Sequence, residues 1–114
     1  MKLYGIKNCD SVKKAIKLLK QEDIAYEFVD LKEYSPTINE IKTWLEQGVE
    51  LKKLFNARST TYRNLKLKEL ELDEAGKIEW LSKEPMLIKR PVIELDNNTF
   101  IVGFNADEYN QKLH

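Results

Sequence analysis

The sequence predicts an α/β fold in which helices surround a mixed sheet of about four strands. Near the N-terminus, two short apolar segments flank a segment with helical spacing, which is the order of a β-α-β unit with parallel strands. Near the C-terminus, two apolar segments flank a polar turn and precede a last helical segment, which gives β-β-α. The stretch between these two halves carries mainly helical signals.

The N-terminal half predicts a strand, a helix and a second strand. The first strand is expected at Lys2–Ile6, the helix at Asp10–Asp23 and the second strand at Ala25–Leu31. The predicted apolar face of the helix, spaced i, i+3, i+4 and i+7, consists of Val12, Ala15, Ile16 and Leu19. Its opposite face, which we interpret as solvated, carries Lys13, Lys14, Lys17 and Lys20.

The middle of the chain begins with a clear helix start. Thr37-Ile38-Asn39-Glu40 has the form of a capping box and follows Pro36. The helix that it starts is defined by Ile38, Ile41, Trp44 and Leu45. Gly48 is placed to end this helix, and a further helical turn is expected at Leu51–Phe55.

Residues 65–82 allow two interpretations. The leucines of this stretch partly alternate, and Glu74–Lys77 could turn a hairpin. Alternatively, Asp73 caps a helix that stops before Pro85. That helix would bury Ala75, Ile78 and Leu81.

The C-terminal half predicts an antiparallel hairpin and a final helix. The strands are Val92–Leu95 and Phe100–Val102, joined by the turn residues of Asp96–Thr99. Asn105 starts the helix, which is expected to bury Tyr109 and Leu113. The complete order is thioredoxin-like, in a single domain of residues 1–114 with a helical insertion at about residues 36–84.

Composition excludes several classes of function. The chain has 114 residues and one cysteine, which excludes an intrachain disulfide and a metal site built from several cysteines. Its only histidine is His114, which argues against catalysis by an internal histidine base. Acidic and basic residues balance at 19 each, which argues against direct nucleic-acid or membrane-surface binding. The absence of a long apolar run predicts a cytoplasmic protein, whose thiol stays reduced.

The single cysteine, Cys9, falls where the first predicted strand passes into the first predicted helix. Unpaired backbone N–H groups and the positive end of the helix dipole favour a thiolate at such a junction. A small, buried structural thiol is the alternative. The neighbouring Asn8 either positions the thiol or only forms the turn, while Asp10 opposes the thiolate or serves the helix N-terminus.

Arginine is scarce in this chain, which has 16 lysines but only Arg58, Arg63 and Arg90. Guanidinium groups bind anions in a planar, two-pronged geometry that lysine does not offer. Each arginine is therefore a candidate anion-binding residue, with a surface salt bridge or a helix-end contact as an equally good alternative.

Four segments together resemble a known family: Tyr4–Ala15, Asn56–Ser59, Pro85–Pro91 and Val102–Asn105. They are similar to the arsenate-reductase-like family of thioredoxin-type fold, which groups glutaredoxin-coupled arsenate reductases, the Spx and MgsR regulators and YffB-type proteins. The resemblance covers essentially the whole chain and is nearest to the single-cysteine YffB-like branch. It also favours the helical interpretation after Asp73.

The resemblance implies roles for particular residues. Cys9 would be the nucleophile, Arg90 the arginine that binds an oxyanion beside the thiol, and Pro91 a cis proline next to the cysteine. Arg58 matches the arginine of the helical insertion, with Arg63 as a second candidate. For the adjacent hydroxyl residues, helix capping is favoured over anion binding; these are Ser59, Thr60 and Thr61.

Three positions depart from the better-known branches of the family. Gly103 stands where arsenate reductases carry a further arginine, and Gly5 where they have a histidine before the cysteine. Val12 replaces the second cysteine of the redox-sensing regulators, so no internal disulfide can form. These departures weaken arsenate as the substrate and require a resolving thiol from outside the chain.

The leading functional hypothesis is a thiol-dependent oxidoreductase without a bound cofactor. Cys9 would attack an oxidised substrate, and glutathione or a glutaredoxin-type reductant would resolve the adduct. The alternative is an Spx- or MgsR-like regulator that binds the C-terminal domain of the RNA polymerase α subunit. A third possibility is a family member in which the thiol is only structural.

Overall fold

The computed structural model describes residues 1–113 and divides the chain into two compact units. One unit contains residues 1–30 together with the chain from residue 90 onward, and the other contains residues 31–89. The first unit holds the four-stranded sheet, and the second consists of helices and turns with one isolated β-bridge, between Phe55 and Ile88. Among the described residues, no helix is long and apolar enough to span a membrane.

The sheet of the first unit has four strands in the order β2-β1-β3-β4. The strands are β1 (Lys2–Gly5), β2 (Glu27–Asp30), β3 (Val92–Glu94) and β4 (Phe100–Val102). β1 is parallel to β2, whereas β1 and β3, and β3 and β4, are antiparallel. The predicted α/β fold with a mixed four-stranded sheet is confirmed: β4 has the expected bounds, and the other three strands are shorter than expected.

Two helices, α1 (Asp10–Gln21) and α6 (Ala106–Leu113), contribute to the core of this unit. Seven side chains form its fully buried centre: Leu3, Val12, Ala15, Leu19, Ile93, Ile101 and Tyr109. The prediction that α1 extends to Asp23 is wrong, because Asp23 adopts a left-handed φ of 54° that an α-helix does not allow. Leu113 is only half-buried.

The second unit contains α2 (Ile38–Glu46), α3 (Leu51–Leu54), α4 (Thr60–Asn64) and α5 (Glu74–Lys83). Two 3₁₀ turns, Leu67–Leu70 and Pro85–Leu87, complete it. The capping box before α2 is confirmed: Thr37 Oγ1 accepts from the Glu40 N–H at 3.1 Å, and Glu40 Oε1 accepts from the Thr37 N–H at 3.2 Å.

The structure decides between the two interpretations of residues 65–82 in favour of the helix. α5 starts directly after Asp73, whose carboxylate accepts from the Gly76 N–H at 2.8 Å. Ile78 and Leu81 are buried as expected. The expectation for Ala75 is wrong: its side chain is exposed, since Ala75 lies in the first turn of α5, at the border of the face that Ile78 and Leu81 bury.

Candidate functional site

The predicted site residues of the first unit meet at one edge of its sheet. Cys9 follows β1 after a three-residue connection that begins at Ile6. β3 is antiparallel to β1 and pairs its first residue, Val92, with Tyr4 near the end of β1. Arg90 and Pro91, which immediately precede β3, therefore lie at the same edge as the connection that leads to Cys9.

Cys9 is the N-cap residue of α1. Its backbone is extended, with φ of −141° and ψ of 123°, and its carbonyl accepts the first helical bond, from the Lys13 N–H at 2.9 Å. Its side chain makes no capping hydrogen bond, so it does not satisfy the N–H groups of the first turn. Cys9 carries a free thiol, and the residue is half-buried and packed against the core. It thus lies at the positive end of a 12-residue helix.

Asp10 and Asn8 are the two sequence neighbours of Cys9. Asp10 is the first residue of α1, where a carboxylate interacts favourably with the helix dipole. This position explains an acidic residue beside a candidate nucleophile. Asn8 is exposed in the bend before Cys9, and its role stays a prediction.

The close packing of Val12 explains why position 5 is a glycine. Gly5 is buried at the end of β1, and a Cβ atom built there would lie 2.7 Å from Val12 Cγ2 and 3.2 Å from Val12 Cγ1. Val12 is itself fully buried in the first turn of α1. Any side chain at position 5 would displace Val12, so Gly5 and Val12 are a matched pair that brings β1 close to the start of α1.

The peptide bond between Arg90 and Pro91 is cis, as the resemblance implied. Pro91 is buried, and its carbonyl accepts a hydrogen bond from the Gly103 N–H at 2.8 Å. Arg90 is half-buried, and its Nε atom is shielded from solvent. The stem of this arginine is thus held against the protein. Its role in anion binding stays a prediction.

Gly103 has a structural function that its sequence context did not reveal. Its φ of 81° lies in the left-handed region, where an arginine would be strained. Its N–H bonds to Pro91, and its carbonyl accepts from the Tyr109 hydroxyl at 2.9 Å. Position 103 therefore holds the Pro91 segment through its backbone instead of offering a charged side chain.

Tyr109 was predicted only as a core residue. Its ring is fully buried and packs edge-to-face on Phe104, with ring centroids 5.0 Å apart. Burial, with a smaller contribution from the Glu108 charge, raises the pKa of the Tyr109 hydroxyl far above its usual value. The hydroxyl consequently stays protonated and remains a donor. Helical spacing predicts burial of this residue, but no sequence signal indicates where its hydroxyl points.

The other two arginines belong to residues 31–89. Ser59 caps α4 by accepting from the Tyr62 N–H at 3.1 Å, which confirms the capping interpretation. Arg63 donates to the Arg58 carbonyl and to Thr60 Oγ1, both at 3.4 Å, so its guanidinium is used locally. The Arg58 side chain is exposed, and its predicted role in substrate binding stays untested.

Residues 1–113 contain no group of three or more histidine, cysteine or acidic side chains that could hold a metal ion. At the sheet edge, the arrangement of residues provides one free thiol, that of half-buried Cys9, at a helix N-terminus. Arg90, at the same sheet edge, adds a cation.

Comparison with known proteins places this arrangement in a family. The ArsC family model matches residues 4–112. An uncharacterised protein of Haemophilus influenzae is 40% identical over 108 residues, which are 94% of this chain and 93% of that protein. Global transcriptional regulator Spx 2 of Oceanobacillus iheyensis is 31% identical over 112 residues, covering 97% of this chain and 82% of the regulator.

The fold is shared with solved structures. A protein named YFFB superposes with a TM-score of 0.89 at 37% identity, covering 99% of this chain and 98% of that one. This similarity confirms the thioredoxin-like fold predicted from the order of elements. Because the ArsC family model spans nearly all of its residues, the chain belongs to the ArsC family.

Proposed function

We propose that this protein is a thiol-dependent oxidoreductase in which the Cys9 thiolate attacks an oxidised sulfur and an external thiol resolves the adduct. The proposal is supported by one observation: half-buried Cys9 is the N-cap residue of α1, its thiol makes no capping hydrogen bond, and it lies at the sheet edge that also holds Arg90. A helix N-terminus favours a thiolate, which is the nucleophilic form. Since a lone thiol is kept free in a reducing compartment, we also propose a cytoplasmic location.

The reaction is a pair of thiol–disulfide exchanges. Cys9 attacks the glutathione sulfur of a mixed disulfide between a substrate and glutathione, forming a Cys9–glutathione disulfide and releasing the substrate as a thiolate. The thiolate of a second glutathione then attacks this adduct, forming oxidised glutathione and regenerating the Cys9 thiolate. Overall, one glutathione thiol is consumed for each mixed disulfide: the substrate leaves as a thiol, and the disulfide bond passes to oxidised glutathione. The second thiol must come from outside because Cys9 is the only cysteine.

Arg90 supplies the positive charge for this reaction. A guanidinium can bind a carboxylate of glutathione through two parallel hydrogen bonds, which orients the disulfide toward the thiol. Arsenate reduction is a narrower version of the same chemistry that we do not favour. At position 103, where arsenate reductases offer a further arginine, the chain has a glycine whose N–H is already bonded to Pro91.

Treatment with oxidised glutathione near neutral pH tests this proposal. Mass spectrometry of the intact wild-type protein should show one glutathione adduct, and Cys9→Ser should show none. Arg90→Gln should slow the formation of the adduct by about tenfold, the value of one charge-assisted hydrogen bond. Arg63→Gln is the matched control and should react as the wild type does. A wild-type protein that forms no adduct refutes the proposal.

A regulatory function is the second candidate, favoured by the 31% identity to a protein named a global transcriptional regulator. In this case the chain would bind the C-terminal domain of the RNA polymerase α subunit. Val12, in place of a second cysteine, removes redox control by an internal disulfide but does not prevent such binding. A pull-down with the purified α domain separates the two functions. Retention of the α domain by both wild type and Cys9→Ser supports the regulator, and no retention refutes it.

A further inference from the structure

Two consecutive hydrogen bonds link the last helix to the segment that carries Arg90. The Tyr109 hydroxyl donates to the Gly103 carbonyl at 2.9 Å, and the Gly103 N–H donates to the Pro91 carbonyl at 2.8 Å. All three residues are buried, and Tyr109 has no exposed surface. In a medium of low polarity, hydrogen bonds of this kind are strong and costly to leave unmade.

The geometry of this chain of bonds constrains position 90. The second bond ends on the carbonyl of Pro91, so it fixes the residue whose nitrogen forms the peptide bond with Arg90. Gly103 reaches this position through a left-handed φ of 81°, which only a glycine adopts at little cost. The Tyr109 hydroxyl is the only side-chain group in this chain of bonds and is therefore the group that a mutation can remove cleanly.

We propose that Tyr109 is a positioning residue: by holding Gly103 it fixes the Arg90–Pro91 segment beside Cys9 and so orients Arg90 toward an anionic disulfide. This inference rests on the function proposed above. The Tyr109 hydroxyl donates to the Gly103 carbonyl. It acts through the backbone of Gly103, and its effect is confined to reactions that use Arg90.

The test compares two reagents that both react with Cys9. Iodoacetamide is small and neutral and needs only the thiolate, whereas oxidised glutathione carries carboxylates and also needs Arg90. Tyr109→Phe keeps the ring but removes the hydroxyl. We expect the rate with oxidised glutathione to fall about threefold to tenfold, the value of one hydrogen bond, and the rate with iodoacetamide to be unchanged. Tyr34→Phe, an exposed tyrosine that donates to Glu40, is the matched control and should change neither rate.

A double mutant shows whether Tyr109 acts through Arg90. In the Arg90→Gln background, adding Tyr109→Phe should leave the ratio of the two rates unchanged, because the group that Tyr109 orients is gone. Amide exchange of Gly103 should accelerate in Tyr109→Phe. If Tyr109→Phe does not fold, Gly103→Ala strains the same segment and should lower the same ratio.

The outcomes separate this inference from the proposed function. A wild type that forms no glutathione adduct refutes the function and the positioning role with it. A reactive wild type whose rate ratio is unchanged in Tyr109→Phe, or in Gly103→Ala as its replacement, refutes the positioning role alone. An equal further loss in the Arg90→Gln background also refutes it.

Discussion

The contact between Gly5 and Val12 gives the sharpest test of how the sheet edge is built. Gly5→Ala adds a Cβ atom that would lie 2.7 Å and 3.2 Å from the two γ-methyl groups of Val12. Val12 is fully buried, so the helix or the strand must shift, and overpacking of this kind costs about 1–3 kcal/mol. The loss of backbone freedom in the unfolded chain returns about 0.4–1 kcal/mol. We therefore expect Gly5→Ala to lower the free energy of unfolding by about 1–2 kcal/mol.

Urea denaturation of a double-mutant cycle measures this contact. Val12→Ala alone is destabilising because it leaves a cavity, but it removes both methyl groups that meet the new Cβ atom. In Gly5→Ala with Val12→Ala, the combined loss should be smaller than the sum of the single losses by about 1 kcal/mol or more. Additive losses, or an unchanged stability of Gly5→Ala, would refute the steric reason given for glycine at position 5.

Three further predictions concern stability. Because burial raises the pKa of Tyr109, the unfolded state loses the proton of this hydroxyl first. The contribution of Tyr109 to the free energy of unfolding should be constant below about pH 10 and fall above it, by up to about 1.4 kcal/mol per pH unit. Calorimetry above about pH 10 should therefore find a shallower fall in Tyr109→Phe. Thr37→Ala should lower the free energy of unfolding, measured by urea denaturation, by about 1 kcal/mol because it removes the N-terminal cap of α2. The control Thr43→Ala, within α2, should not lower it. Equal losses in the two variants would contradict the capping box. Asp73→Ala should cost about 1 kcal/mol in the same assay, and no loss would contradict its capping of α5.

Much of the fold follows from local patterns in the sequence. The sheet could be predicted because its strands are short apolar segments bounded by turns, and the start of α2 because Thr37 and Glu40 satisfy each other's backbone groups. Residues 65–72 could not be predicted. Lys66 and Glu71 adopt left-handed φ values of 53° and 47° on either side of a 3₁₀ turn, and nothing in these residue types indicates that conformation.

The candidate site, like the fold, could be predicted from the sequence only in part. The sequence identifies Cys9 and Arg90 as chemically suited residues, and the antiparallel pairing of β1 with β3 explains why residues about 80 positions apart lie at one sheet edge. The backbone bonds of Gly103 and the direction of the Tyr109 hydroxyl depend on tertiary packing. A sequence pattern reports that Tyr109 is buried, but not that it holds the segment after Arg90.

Whether the fold activates the Cys9 thiol can be measured by comparing its alkylation by iodoacetamide in folded and in urea-unfolded protein at the same pH, near 6.5. The reagent reacts with the thiolate, and the unfolded chain presents the same cysteine without the helix N-terminus. If the junction of β1 and α1 activates the thiol, the folded protein should react faster by about threefold or more, despite the half-burial of Cys9. A folded protein that reacts more slowly than the unfolded chain would show that the thiol is structural and is not activated by the helix N-terminus.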